Sequence, residues 1–401
     1  MAPNRWLILL VLFTARTTMA FQFQSVASVS PMLVPELHID LAALGVLVGA
    51  WMLPGVFVAI PGGLLGQRFG DKRVVIAGLG LMVAGSVLVA TADGYGAALV
   101  GRVVSGTGAV LLNVLLTKMV TDWFSGPQVA TAMGIFVVSW PLGIGLSLLL
   151  LGPIAAASSW RFAIQVTAAA CVVALVLVAL LYRSKHPTSA PTEALPSAWR
   201  LSRRELTLTC VAGLVWALFN VAYIIVVSFS PLLLSARGLA PGSAAVVASF
   251  ATWPLVATIP LGGLLADRTG RGRTIMFASF IALAMVMPLL TVAPSPILVL
   301  AIIGLLGGLP AGIIMTLPAR ALSPSSRHLG MGLFYALYYL AMAVLPAAAG
   351  ALRGVLAFDA APLLLASFLL LAATACLLLF DRLARSMQGA AAGPSAQVTP
   401  T

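Results

Sequence analysis

Long apolar stretches recur along the whole chain, and short polar or basic segments separate them. We count about twelve such stretches, the first at roughly 7–30 and the last at roughly 361–380. Each is about 20 residues long, which an α-helix needs to cross roughly 30 Å of hydrocarbon. Several contain an interior proline, for example Pro54 and Pro254, which membrane helices tolerate because neighbouring groups satisfy the freed backbone. The pattern predicts an all-α integral membrane protein with about 12 transmembrane helices.

Composition and charge placement support this prediction. Hydrophobic residues make up 61% of the chain and charged residues only 8%, whereas soluble domains carry about a quarter charged residues. The net charge of +12 does not indicate nucleic-acid binding, because the basic residues concentrate in alternate loops between the apolar stretches. This asymmetry follows the positive-inside rule. It predicts a multi-pass protein of a bacterial-type inner (plasma) membrane, with both termini cytoplasmic.

One motif occurs twice, 200 residues apart. Residues 62–73 read GGLLGQRFGDKR and residues 262–273 read GGLLADRTGRGR. Ser28, Ser30 and Pro31 match Ser228, Ser230 and Pro231 in the same register, so we interpret residues 1–30 as a first membrane helix rather than a leader. The repeat predicts two six-helix bundles related by a pseudo-two-fold axis along the membrane normal. The predicted bundles cover 1–182 and 205–385, with a cytoplasmic linker at 183–204 and a disordered cytoplasmic tail at 386–401.

These features resemble the major facilitator superfamily of transporters, whose signature loop runs close to G-x-L-a-D-r-x-G-r-k. The second copy fits well, whereas the first has Gln67 where the family has an aspartate. The segment GRVVSGTGA around Arg102 and the pair Trp160 and Arg161 match further family patterns. The resemblance implies a transporter that works by alternating access, and within the family it points to the cyanate and nitroimidazole branch. The implied gating residues are Gly63, Gln67, Arg68, Gly70, Arg73, Gly263, Asp267, Arg268, Gly270, Arg271 and Arg273.

Charged residues inside the predicted spans are few and only basic. Arg16 falls near the middle of the first span, and Arg102 lies inside the outer end of the fourth. Charges at such depth are costly and by default mark a pathway or a binding site. Two buried cations without a buried carboxylate favour an anionic solute. Arg102 has a structural alternative, in which it packs against the first helix or reaches outward to a carboxylate.

Helical spacing places polar and aromatic side chains beside these arginines. In the resembled family, helices one, four, seven and ten line the cavity. The candidate substrate-binding residues are Arg16, Phe23, Gln24, Arg102, Asn113, Trp140, Trp216, Asn220, Tyr223, Trp253, Tyr335, Tyr338 and Tyr339. Guanidinium, amide and phenol donors against aromatic walls suit a small planar or carboxylate-like anion. The tyrosines taken one by one are more typical of packing.

Alternative functions remain open from the sequence. The aromatic and methionine content supports efflux of hydrophobic compounds, although the proline-glycine element of drug antiporters is absent or degraded in helix five. A non-transporting membrane sensor or an enzyme is a third class, but the three cysteines and three histidines form no cluster. We therefore expect no enzymatic activity, no cofactor and no metal. Expected partners are a small-molecule solute and the lipid bilayer, without nucleic acid, for a protein that works as a monomer. Transport would be anion exchange, facilitated movement, or symport with a proton carried on the anion.

Overall fold

A computed structural model describes residues 4–124, 128–184, 201–323 and 326–391, and its regular structure there is entirely helical. The helices are α1 (Arg5–Ser28), α2 (Ser30–Glu36), α3 (Leu41–Ala50), α4 (Gly55–Phe69), α5 (Asp71–Ala90), α6 (Tyr95–Trp123), α7 (Gln128–Ala157), α8 (Trp160–Leu181), α9 (Arg203–Ala236), α10 (Pro241–Ser249), α11 (Trp253–Thr269), α12 (Gly272–Val286), α13 (Pro296–Ile314), α14 (Leu317–Ala321), α15 (Arg327–Leu356) and α16 (Ala361–Ala391). A 3₁₀ segment, Met287–Thr291, extends α12.

Twelve segments of the described chain are long and apolar enough to cross a membrane, which confirms the predicted number of spans. Some spans combine two helices. The second span joins α3 to α4, and the eighth joins α10 to α11. Both interruptions precede or include a proline, Pro54 in one half and Pro254 in the other. Proline lacks a backbone N–H and its ring clashes with the preceding turn, so the 200-residue repeat is visible as the same break in both halves.

The duplicated motif forms a sharp turn in both halves. Gly70 separates α4 from α5 with φ +86°, and Gly270 ends α11 with φ +65°. Residues with a Cβ rarely adopt positive φ, and glycine does so readily. The positive φ explains why a glycine occurs at this position in both copies. The next span begins directly after each turn.

The spans alternate between two ends of the molecule. We call the end that carries both motif copies, the start of α1 and the start of α9 the basic end, and the opposite one the distal end. The two six-helix halves meet closely toward the distal end, where small residues allow backbone contact. A Cβ at Gly49 in α3 would collide with the carbonyl oxygen of Ala343 in α15, and one at Gly152 in α7 would collide with Ala245 in α10. The distal side between the halves is closed in this conformation.

Ion pairs at the basic end hold each half together rather than joining the two halves. Lys118 in α6 contacts Asp71 at the start of α5, with 2.6 Å between Nζ and Oδ2. In the other half, Nε of Arg273 in α12 lies 2.8 Å from Oδ2 of Asp381 in α16. Within the described residues, the five ion pairs each lie inside one half. No described ion pair therefore ties the halves together at the basic end.

Two predicted boundaries change. Helix α9 begins at Arg203, inside the predicted linker, because Ser202 and Glu205 form a capping box at its start. Helix α16 continues to Ala391, so the prediction of disorder from 386 is wrong for residues 386–391. This stretch contains residues such as Met387, Gln388 and Ala390, which favour helix. The rest of the linker, 185–200, and of the tail, 392–401, lies outside the described residues.

Candidate functional site

Arg16 lies deep in the bundle but is not sealed from water. It is 11 residues from the start of α1, about 17 Å along the helix at 1.5 Å per residue. Its side chain is partly exposed, as expected of a residue that lines a cavity. One guanidinium nitrogen donates to the carbonyl oxygen of Phe136 at 3.2 Å, and the guanidinium carbon lies 4.7 Å from the centre of that phenyl ring. Its Nε is buried and has no acceptor among the described residues.

Three tyrosines of α15 face Arg16 across the boundary between the halves. Tyr335, Tyr338 and Tyr339 all lie within electrostatic range of the guanidinium. The Tyr339 hydroxyl accepts a hydrogen bond from Nδ2 of Asn113 at 3.1 Å, which joins α6 to α15. Four of the predicted site residues, Arg16 and these tyrosines, therefore come together, and Asn113 joins them.

Trp216 forms an aromatic wall next to the tyrosines. Its ring centre is 6.4 Å from that of Phe334 and 6.1 Å from that of Tyr338. Nδ2 of Asn220 donates to the Trp216 carbonyl oxygen at 2.8 Å, so this amide is engaged within its own helix. Nε1 of Trp216 is buried and finds no acceptor in the described part of the chain.

A second aromatic group belongs to the other half. Phe23 in α1 stacks on Trp140 in α7 with 5.6 Å between ring centres, and it packs against Trp51 at 5.1 Å. Phe23 is 1% exposed, so it supports the wall from behind, whereas Trp140 remains partly exposed. The predicted pair Phe23 and Trp140 is thus brought together, with Trp140 nearer to the open space.

Arg102 packs against the first helix, the first of the two structural alternatives, and does not reach outward to a carboxylate among the described residues. It is 1% exposed and donates to three backbone carbonyls. Its Nε bonds Leu47 at 2.8 Å, and its two terminal nitrogens bond Gln22 at 3.1 Å and Phe23 at 2.9 Å. The guanidinium joins α6 to α1 and α3, and all three of its nitrogens are engaged in this conformation.

This geometry makes Arg102→Lys a stability test. We expect the variant to lower the free energy of unfolding by about 2–4 kcal/mol, because one ammonium cannot reach three carbonyls and the lost partners stay buried. Thermal unfolding of the detergent-purified protein measures the change. Arg382→Lys is the matched control, since Arg382 is exposed and surface substitutions usually stay within about 0.5 kcal/mol. Equal stability of both variants would show that these hydrogen bonds are not a structural requirement.

Three other predicted residues lie toward the distal end, away from Arg16. Gln24 is fully buried between the halves and donates to the carbonyl oxygen of Val227 at 3.4 Å. The Tyr223 hydroxyl donates to the Ala251 carbonyl oxygen at 2.9 Å. Trp253 donates from Nε1 to Ser249 at 3.0 Å, and its ring packs on Gly145 of the other half. In this conformation these side chains belong to the distal closure.

The implied gating residues lie at the basic end. Arg68 places its guanidinium 5.3 Å from the Phe69 ring, and Asp267 and Arg268 are exposed. Arg271 is exposed as well, whereas Arg273 pairs with Asp381. Gly63 lies within α4 and Gly263 within α11, and Arg73 is exposed in the first turn of α5. The side chain of Gln67 lies outside what the structure describes, so its role in the gate stays a prediction.

Two residues of the site escaped the sequence analysis. Phe136 accepts the hydrogen bond of Arg16, and Trp51 packs against Phe23. Phe136 could have been found, because it lies four residues before Trp140 and thus on the same face of α7. Trp51 lies in the break between α3 and α4, where helical periodicity gives no guidance.

Two similar bundles of six spans, with an arginine at mid-depth between them, form an α-helical multi-pass membrane protein with an arrangement typical of transporters. Residues 12–346 and 212–400 match the family model of the Major Facilitator Superfamily, and the chain belongs to this family. The predicted superfamily is thereby confirmed, whereas the cyanate and nitroimidazole branch stays a prediction.

Among curated relatives, the hexuronate transporter of Bacillus subtilis is 22% identical over 254 residues, which cover 60% of this chain and 59% of that protein. The 3-(3-hydroxy-phenyl)propionate transporter of Escherichia coli is 29% identical over 222 residues, 53% of each chain. The multidrug transporter mfsC of Aspergillus fumigatus is 34% identical over 100 residues, 25% of this chain and 19% of that one. The matches thus span less than two thirds of each relative.

Solved structures show the same fold over nearly the whole chain. The nucleoside transporter NupG has a TM-score of 0.74 at 12% identity, covering 96% of this chain and 100% of that one. A bacterial homologue of the human lysosomal transporter Spinster, inward-facing and occupied, has a TM-score of 0.74 at 17% identity, covering 95% and 98%. At these identities the similarity concerns the fold and not the substrate.

Proposed function

We propose that the protein moves a small carboxylate-like anion across the cytoplasmic membrane by alternating access, with Arg16 as the residue that binds the negative charge. The observation that carries this proposal is a guanidinium at mid-depth, partly exposed and without an ion-pair partner among the described residues. An unpaired charge in a low-dielectric region is unfavourable. An anionic substrate would supply the missing partner, and arginine can hold two carboxylate oxygens at once.

Two further observations support a carboxylate. The hydroxyls of Tyr335, Tyr338 and Tyr339 lie on the opposite wall and can donate to oxygen atoms that Arg16 leaves free. The bacterial relatives transport a hexuronate and a hydroxyphenylpropionate by name, and both compounds are carboxylates. Arg102 contributes indirectly, because its bonds fix α1 nearly two turns beyond Arg16.

The orientation follows from the charges and the closed end. We infer that the basic end faces the cytoplasm, as the positive-inside rule predicts, and that this conformation is inward-facing because the halves are closed at the distal end. The acidic residues that the structure describes lie at or near the ends of the spans. Anion exchange, facilitated movement or symport with a proton carried on the anion therefore remain our proposals for coupling, because a proton carrier at mid-depth is missing from this set.

Efflux of hydrophobic compounds is the second candidate, favoured by the aromatic walls. Trp216 and Tyr338 on one side, with Phe334 packed behind them, and Trp140 on the other, with Phe23 packed behind it, offer flat apolar surfaces. Part of the chain also resembles a multidrug transporter. The unpaired arginine between these walls argues for an anion, since a site for neutral or cationic drugs would leave it uncompensated.

A ligand screen separates the two candidates. Detergent-purified protein is unfolded thermally with cyanate, nitrate, formate, oxalate, larger carboxylates, and neutral or cationic drugs. A ligand at 100 times its dissociation constant stabilises the folded state by about 2.7 kcal/mol, which raises the melting temperature measurably. We expect stabilisation by carboxylates that disappears in Arg16→Gln. Stabilisation by drugs alone, unchanged in the variant, would replace our proposal with the efflux function.

A further inference from the structure

Among the buried hydrogen-bond donors that lack an acceptor in the described residues, two lie at equivalent mid-depth positions of the two halves. They are Nε of Arg16 and Nε1 of Trp216, both buried and both unbonded among the described residues. Positions 16 and 216 are also equivalent in the 200-residue repeat. An unsatisfied donor in an apolar interior is costly and uncommon in native structures, so it calls for an explanation. A ligand that brings acceptors to both groups is one.

The side chains that carry the two donors lie at similar depths, on either side of Tyr338. Trp216 is 13 residues from the start of α9, about 20 Å along the helix, against about 17 Å for Arg16 in α1. Tyr338 links them, because its ring centre is 6.1 Å from that of Trp216 and its hydroxyl lies within electrostatic range of Arg16. A single small molecule beside Tyr338 would therefore lie near both side chains, and a rotation of each would turn its donor toward the molecule.

The chemistry around each donor differs. Arg16 carries a full charge and suits a carboxylate, whereas the indole N–H of Trp216 is neutral and only donates. Trp216 is packed against Phe334 at 6.4 Å and Phe219 at 6.3 Å between ring centres. Aromatic rings surround this indole, so we expect an oxygen that binds it to be carried on a flat ring that packs against them.

We propose that the indole N–H of Trp216 is a second polar subsite, which binds a neutral oxygen on the ring of an aromatic carboxylate held by Arg16. This inference rests on the proposed anion site and narrows its substrate class to aromatic acids with a ring oxygen, such as a hydroxyl, ether or carbonyl. The carboxylate would be bound by the first half and the ring oxygen by the second. A substrate of this class therefore contacts both halves, whereas an acid without the ring oxygen lacks the polar contact with the second half.

The test compares matched ligands on the full-length purified protein by calorimetry. The ligands are 3-phenylpropionate, its 3-hydroxyphenyl analogue and its 3-methoxyphenyl analogue. We expect the wild type to bind both oxygen-bearing acids about tenfold more tightly, which corresponds to about 1.4 kcal/mol. The methyl ether can accept a hydrogen bond but cannot donate one. Tighter binding of this ether than of 3-phenylpropionate therefore identifies the protein as the donor, without any substitution in the protein.

Trp216→Phe keeps an aromatic ring and removes the N–H. We expect this variant to lose the preference, so that its affinities for the three acids become equal, while the control Trp6→Phe keeps the preference. Trp6 is suitable because it is 41% exposed at the start of α1. If Trp216→Phe loses affinity equally for all three acids, or still binds the oxygen-bearing acids more tightly, the subsite is overturned but the anion site stays intact. A wild type that binds none of the three acids and no other anion removes the proposed function itself.

Discussion

Arg16→Gln is expected to reduce the transport of an anionic substrate at least about a hundredfold, and Arg16→Lys to retain part of it. A bound carboxylate would lose charge-assisted hydrogen bonds in a low-dielectric cavity, and about 2.7 kcal/mol already corresponds to a hundredfold. Lysine keeps the charge but cannot bind two oxygens in a fork. Uptake of radiolabelled carboxylate into proteoliposomes, at equal amounts of reconstituted protein, measures the effect.

The matched control for this experiment is Arg382→Gln. Arg382 is an exposed arginine at the basic end of α16, and removing it changes the net charge by the same amount. We expect its uptake rate to equal that of the wild type. Normal uptake by Arg16→Gln would show that the hydrogen bond to Phe136 and the contact with its ring are structural, and the anion proposal would lose its main support.

The repeat and the number of spans could be predicted from the sequence because both are local properties. A run of apolar residues specifies a membrane helix without reference to its neighbours, and Pro54 and Pro254 produce the same break in both halves. Arg16 could also be predicted as a candidate binding residue, since a charge at the middle of a span is unusual in any fold.

The different environments of Arg16 and Arg102 could not be predicted, because they depend on residues that are distant in the chain. Arg102 is satisfied by carbonyls of Leu47, Gln22 and Phe23. These groups come within reach because α6 approaches the α3 end closely, where a Cβ at Gly106 would collide with the Trp51 carbonyl. The residues next to either arginine in the sequence do not indicate this contact between α6 and α3.

Gln24 shows a second limit, which is the conformational state. The prediction placed it on one face with Arg16, two turns further along α1. The structure seals it between the halves, fully buried against α9. A side chain on this face borders open space at the depth of Arg16 and lies within the closure at the depth of Gln24. Which part of this helix face is exposed depends on the relative tilt of the two halves. The sequence is the same in every conformation, so it does not specify which tilt the structure shows.

Gly49→Leu is expected to prevent closure of the distal end and thereby reduce transport by more than tenfold. Any Cβ at this position would collide with the Ala343 carbonyl oxygen in α15, and a backbone group cannot move aside as a flexible side chain can. Each half should still fold, because the collision lies between the halves. Uptake into proteoliposomes measures the loss of transport. A cysteine introduced at Ser28, which is fully buried in the closed form, reports the conformation in a background without the native cysteines.

We expect this reporter to react with maleimide slowly in the otherwise unchanged protein and at least tenfold faster when Gly49→Leu is added. Gly80→Leu is the matched control, because a Cβ at Gly80 in α5 meets no atom within 4 Å. This control should retain both the uptake rate and slow labelling. If Gly49→Leu transported normally, the distal contact of α3 with α15 would not be required in the transport cycle. If it lost transport while the Ser28 reporter stayed protected, the defect would lie elsewhere than in distal closure. Fast labelling together with lost uptake would link this one backbone contact to alternating access, because a transporter that cannot close one end cannot release substrate at the other.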